Sequence, residues 1–217
     1  MPHKIFIYAP IGASIFSDGV NVEQVSKEIT SLKKGTDIEL RINSPGGNAW
    51  DGIALYNVLK GYDGKVTAYV DGIAASAASI IAMGADEIVM GQGSQLMIHQ
   101  ASGVAMGTAE DMLATAEVLE SVTSQMIGVY ESRTGLPLDE ITAMVEAETW
   151  LDADKAISLK FADQTSAEKA KVKSEHIAFL EGYKHTPAAL LQQDEPQPEP
   201  EKPDYTELLA EMDRLFI

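Results

Sequence analysis

Cysteine is missing from all 217 residues of this chain. Its absence excludes disulfides, thiolate nucleophiles and cysteine-ligated metal centres. Basic residues are scarce: 16 Lys and Arg stand against 33 Asp and Glu, a formal charge of −17. Nucleic-acid binding depends on neutralising phosphates with Lys and Arg, so neither nucleic acid nor an anionic membrane surface is expected as a partner. Long apolar runs are lacking too. The opening MPHKIFIYAPIG is too short in apolar residues for a signal peptide, and nothing approaches the roughly 20 residues of a membrane helix. A cytoplasmic location is the expectation. Histidine is also rare, at four residues, and only His99 follows an apolar strand within the body of the chain.

What is present reads as an alternation of strands and helices. KIFIY (4–8) is a strand candidate. After Asn21, a capping residue, Val22, Val25, Ile29 and Leu32 recur at helical spacing up to Gly35. DIELRI (37–42) alternates as a strand, NSPGG (43–47) turns, and a helix runs to about Lys60. KVTAYV (65–70), EIVM (87–90) and QLMIH (95–99) read as further strands, with an Asp-Gly turn at 71–72 and a helix over 74–84 between the first two. Such alternation predicts an α/β fold, a mostly parallel sheet covered by helices. From Thr108, which forms a capping-box pattern with Asp111, a long helix extends to about Ser132. At about 1.5 Å per residue it is longer than a peripheral helix needs, and two readings stay open: a helix that projects to pack against another subunit, or an ordinary core helix. A shorter helix covers 138–147.

Composition then shifts. Five of the nine prolines fall within 187–203, and QQDEPQPEPEKPD (192–204) has no large apolar residue. The reading is a body over 1–170, a polar, Pro-rich and acidic linker over 171–204, and a short amphipathic helix over 205–217.

The chemistry concentrates where small residues meet strand ends. NSPGGN (43–48) and DGIAAS (71–76) both lead into helices, whose first N–H groups lack intrahelical acceptors and attract negative charge. Side by side, two such cradles would hold a developing oxyanion. DGIAASAASI (71–80) contains two serines, and small residues there serve equally for close helix packing. Ser76, in the first turn, is better placed to react than Ser79, one turn deeper. A serine hydroxyl needs a base, and His99 is the candidate. An orienting carboxylate would come from VEAETWLDADKA (145–156), with Glu146, Glu148, Asp152 and Asp154 all open.

These pieces, in order, resemble the Clp-type serine peptidases: INSPGG (42–47), GIAAS (72–76), LMIHQ (96–100), the long helix, and ETWLDADKAISLKFAD (148–163). The resemblance covers about residues 4–165. It implies a ClpP/crotonase-like fold with a protruding handle helix. It also implies Ser76 as nucleophile, His99 as general base, and the backbone N–H groups of Gly47 and Ala77 as oxyanion hole. The acid position falls on Glu148, where the family usually has aspartate; Asp152 is the alternative acid. No metal or cofactor is implied.

The implied assembly is a homo-oligomeric ring, heptameric or doubled, acting on protein substrates. The start near the first strand and the acidic tail look most like phage head-maturation peptidases of this group. That reading makes the substrates scaffold or capsid proteins, the location host cytoplasm and an ATPase partner doubtful. A housekeeping proteolytic subunit working with an ATPase is the alternative. Beyond the peptidases, a crotonase-like acyl-CoA enzyme and an inactive scaffold protein are the rival readings.

Overall fold

The computed structural model describes residues 1–12, 19–169 and 176–191. Strand β1 (His3–Ile7) leads to helix α1 (Val22–Ser31), whose first turn is capped by the Asn21 side chain accepting from Gln24 N at 3.0 Å. Next come β2 (Ile38–Ser44), α2 (Ala49–Lys60), β3 (Val66–Ala75), α3 (Ala77–Met83), β4 (Glu87–Gln92) and β5 (Gln95–Ile98). Helix α4 (Ala109–Thr134), α5 (Leu138–Glu146), β6 (Thr149–Asp152), α6 (Ala153–Ser158) and β7 (Gln164–Lys169) follow. A last short helix, α7 (Ile177–Leu180), precedes a 3-10 turn at Ala188–Leu190.

The sheet runs β1-β2-β3-β4-β7 with every neighbouring pair parallel. The architecture is the expected α/β fold with a mostly parallel sheet. Strand β3 is long enough to serve two partners. Its first half pairs with β4, Thr67↔Glu87 to Val70↔Met90, and its end pairs with β5, Ile73↔Gln95 to Ala75↔Met97. Strand β6 then runs antiparallel to β5, and this pair was not anticipated from ETWL.

The Asp71-Gly72 pair, expected as a turn, lies inside β3 instead. Arg41 on the neighbouring strand explains it: Nε and Nη2 donate to the two Asp71 carboxylate oxygens at 2.8 and 2.5 Å, and Tyr8 Oη donates to Oδ2 at 2.6 Å. A carboxylate held bidentately across two strands satisfies its charge within the sheet and has no need of a turn. The strand therefore continues to Ala75, and the helix begins at Ala77 rather than at 74.

Every residue of α3 is buried, so its alanines do permit close packing. Ser79 belongs to that packing: its hydroxyl bonds the Ser76 carbonyl at 2.6 Å and Tyr130 Oη at 2.8 Å. Helix α4 carries the expected capping box at Thr108 and Asp111, and its buried residues, Val122, Met126, Ile127, Tyr130 and Thr134, all fall in its second half. The first half leaves Met112 and Leu113 exposed. No helix among the described residues is long and apolar enough to cross a membrane.

Of the segment 171–204 expected as a linker, the described part, 176–191, folds onto the body. Leu180 and Leu190 are buried against Ile73, with Trp150, Tyr183 and Leu191 packed around them. His176, read as a residue of the polar tail, is fully buried. The helix expected over 205–217 lies outside the described residues.

Candidate active site

Ser76 sits at the junction of β3 and α3 with φ 54° and ψ −124°. A non-glycine residue there costs on the order of 1–3 kcal/mol and persists because its surroundings fix it. They do so from both sides: Ser76 N donates to Met97 O at 3.0 Å, and the Ser76 carbonyl accepts from Ser79 N and Ile80 N at 2.9 and 3.3 Å. The result is a sharp strand-to-helix turn that presents the hydroxyl, as in the nucleophile elbow, although AASAA lacks the glycines of G-x-S-x-G. Glycine is supplied by the facing loop. A β-carbon on Gly46 (φ 95°) would lie 2.7 Å from Ser76 Cβ, and one on Gly47 (φ 146°) would lie 2.2 Å from the Ile11 carbonyl. Both positions therefore require the residue without a side chain.

The same pairing delivers the imidazole. Met97 is fixed opposite Ala75, and His99 follows two residues later, just past the end of β5. Its Nε2 lies 2.8 Å from Ser76 Oγ. Burial pushes the His99 pKa below the ordinary 6.5, against the opposing pull of the Glu148 charge and with a further push from Lys184. A neutral imidazole at pH 7 can accept a proton.

The antiparallel register separates the two candidate acids. Thr149 pairs with Ile98, which brings Glu148 beside His99, whereas Asp152 pairs with Gln95, at the far end of β6. Four residues of strand are about 13 Å. Asp152 is exposed and caps α6, accepting from Lys155 N at 2.8 Å. Glu148 is buried, at φ 50°. Its carboxylate accepts from Lys184 N at 2.9 Å, His185 N at 2.7 Å and Trp150 Nε1 at 3.4 Å. Burial pushes this carboxyl up, but those N–H groups outweigh it, aided by the nearby imidazole, and hold it below its ordinary 4.5. Among the described residues no hydrogen bond joins Glu148 to His99, so the two interact through charge.

A cavity of about 390 Å³ opens beside the serine, and Gly47, Ser76, His99, Trp50, Phe179 and Tyr183 are among its lining residues. Ala77, as the first residue of α3, has a backbone N–H with no intrahelical acceptor. No group of three or more His, Asp or Glu among the described residues is arranged to hold a metal ion. The structure thus brings Ser76, His99, Glu148, Gly47 and Ala77 to one end of the sheet and leaves Asp152 apart. Tyr183, whose ring edge meets His99 with centroids 5.1 Å apart, was missed. The apolar residues around it, Phe179, Leu180, Leu190 and Leu191, signal a packed segment, but nothing in the sequence links that segment to His99.

Comparison with known proteins bears on the family and the fold. A family model described as Clp protease matches residues 4–169. The ATP-dependent Clp protease proteolytic subunit of Pleurastrum terricola is 33% identical over 130 residues, 59% of this chain and 66% of that protein, just under two thirds of its length. That of Oltmannsiellopsis viridis is 32% identical over 64% of this chain and 72% of its own length. Proteolytic subunit 3 of Rhodococcus jostii is 30% identical over 71% of this chain and 79% of its own. A solved ClpP1 mutant from Listeria monocytogenes superposes with a TM-score of 0.65 at 20% identity, covering 80% of this chain and 93% of that one, a likeness of fold. Because the family match begins in β1 and ends with β7, taking in the whole sheet and both partners of the Ser76–His99 contact, the chain belongs to the Clp protease family.

Proposed function

We propose that this chain is a serine endopeptidase that hydrolyses peptide bonds within a ring-shaped homo-oligomer. The observation that carries the reading is the 2.8 Å contact between Ser76 Oγ and His99 Nε2 on a strand-to-helix turn. Ser76 attacks the scissile carbonyl as His99 takes its proton, and His99 returns that proton to the leaving amine. Water, deprotonated by the same imidazole, then releases the acyl group. The N–H groups of Gly47 and Ala77 receive the oxyanion, and the Glu148 charge steadies the imidazolium. The cavity beside Ser76 combines apolar side chains (Val122, Met126, Phe179) with polar ones (Asn48, Ser102), which suits a substrate side chain lying along its apolar part. The mechanism calls on no cofactor.

The named relatives favour a proteolytic subunit that works with an ATPase over a phage head-maturation peptidase, since each is called ATP-dependent. A crotonase-like acyl-CoA enzyme has no use for a serine hydrogen-bonded to histidine. The test is a fluorophosphonate probe on the intact protein, with mapping of the labelled peptide. Labelling at Ser76 is expected, whereas an unlabelled protein that turns over acyl-CoA overturns the reading.

The pH dependence follows from His99. Its base form is the neutral one, so kcat/KM rises with pH through the imidazole pKa. Burial lowers that pKa, which sets the midpoint of the acid limb below the ordinary 6.5. A midpoint at or above that value in a peptide-ester assay contradicts the buried-base assignment.

Self-association is supported by the first half of α4, where Met112, Leu113 and Val118 are 41%, 68% and 52% exposed. Leu113→Asp would put a charge into a contact between copies and is expected to shift native mass toward smaller species. An unchanged mass takes this helix out of the assembly contact.

A further inference from the structure

We propose that Tyr183 is a positioning residue for the Ser76–His99 pair, and that residues 179–185 are part of the catalytic site rather than an appendage. This inference rests on the peptidase reading above. It concerns a segment that lies wholly beyond the stretch matched by the family, residues 4–169.

The segment is anchored on one side by Leu180 and Leu190, buried against Ile73. On the other side it touches each part of the site. Tyr183 Oη donates to the Pro45 carbonyl at 2.6 Å, immediately before the Gly46-Gly47 pair that faces the serine. Its ring stands edge-on to His99, with centroids 5.1 Å apart and planes at 82°, and meets Trp150 at 6.0 Å on the same side of the site. Burial raises the phenol's pKa to about 12, so it is neutral at any working pH. The next two peptide units, Lys184 N and His185 N, donate one to each Glu148 carboxylate oxygen.

One residue and the two amides after it therefore contact the base, the acid and the loop carrying the oxyanion donor. The imidazole needs this support because no hydrogen bond from the acid orients it among the described residues. An aromatic edge against the ring restricts its rotation and keeps Nε2 aimed at Ser76. A shift of about 1 Å between reacting groups is enough to cost about 10²-fold in rate.

The groups that face His99 are the Ser76 hydroxyl, the Tyr183 phenol, the Glu148 carboxylate and the Lys184 ammonium. Of these only Glu148 and Lys184 are charged at neutral pH, and Tyr183 supplies part of the burial. Removing its ring admits water to the imidazole and moves the acid limb of kcat/KM upward, toward the ordinary value.

The experiment uses the full chain, a small peptide ester and the fluorophosphonate probe. Tyr183→Ala is expected to lower kcat about 10²-fold with KM changed little, to slow labelling in parallel and to raise the acid limb. Tyr183→Phe keeps the ring edge and should restore most of the rate, with the limb at its wild-type position. Should Tyr183→Ala fail to fold, Tyr183→Leu keeps apolar bulk without the ring and is read the same way. Activity equal to or above wild type in the Ala or Leu variant, with an unmoved acid limb, overturns the inference and marks the segment as bystander or obstruction. A wild-type chain that takes no label sinks the peptidase reading and this inference together. A labelled wild type with an indifferent Tyr183 sinks only the inference.

Discussion

Ser76→Ala is expected to lower kcat for peptide hydrolysis by about 10⁴- to 10⁶-fold while leaving the fold intact. The loss is that large because nothing near Ser76 replaces its hydroxyl: Ser79 Oγ is committed to the Ser76 carbonyl and to Tyr130 in a buried site. The fold should survive because the turn is held by backbone groups that alanine keeps. These are the Ser76 N–H on Met97 O and the Ser76 carbonyl under Ser79 N and Ile80 N. Alanine at φ 54° carries about the same backbone strain as serine, so melting temperature should move by no more than a few degrees. Rates on an unfolded protein and on a peptide ester, measured beside thermal melts, check both halves. Equal hydrolysis by wild type and variant would remove Ser76 from catalysis and revive the inactive-scaffold reading.

How far this site can be read from sequence depends on the range of the interaction that builds it. Local signals carried well. Asn21 and Thr108 cap α1 and α4 because their side chains reach amides three residues on, a contact that sequence spacing reveals directly. The glycines of NSPGG mark a close backbone approach, and Ser76 and His99 fall at the ends of strands whose patterns are plain. Misreadings arose where a distant partner overrode a local preference. Asp71-Gly72 has the composition of a turn, yet Arg41, 30 residues away, keeps it in the sheet. Strand β5 is legible as QLMIH, but β6 is four residues, too short for periodicity to register, and its antiparallel partner lies about 50 residues away in sequence. Residues 176–191 (HIAFLEGYKHTPAALL) are themselves largely apolar, and grouping them with the Pro-rich acidic stretch beyond them hid the leucines that dock on Ile73 and Trp150.

The choice between Glu148 and Asp152 was open in the sequence, and the β5–β6 register gives it a measurable form. Glu148→Gln is expected to lower kcat/KM about 10²- to 10³-fold, and Asp152→Asn to change it less than about twofold. Glutamine removes the charge that steadies imidazolium and turns its NH₂ group toward one of the Lys184 and His185 amides, donor against donor, because each amide bonds a different carboxylate oxygen. That mismatch in a buried place should also cost about 1–3 kcal/mol of stability. Asparagine at 152 still accepts from Lys155 N and caps α6 about as well as aspartate does. Glu148 also ties stability to acid. Glu148 has a folded pKa below the ordinary 4.5, so its contribution to stability is complete above that value and is lost as pH falls through the lower folded one. Wild type and Asp152→Asn should both show this acid loss in melting experiments, and Glu148→Gln should not. Should Asp152→Asn prove the more damaging to catalysis, the carboxylate beside His99 is not the one that serves it, and the register argument fails with the assignment.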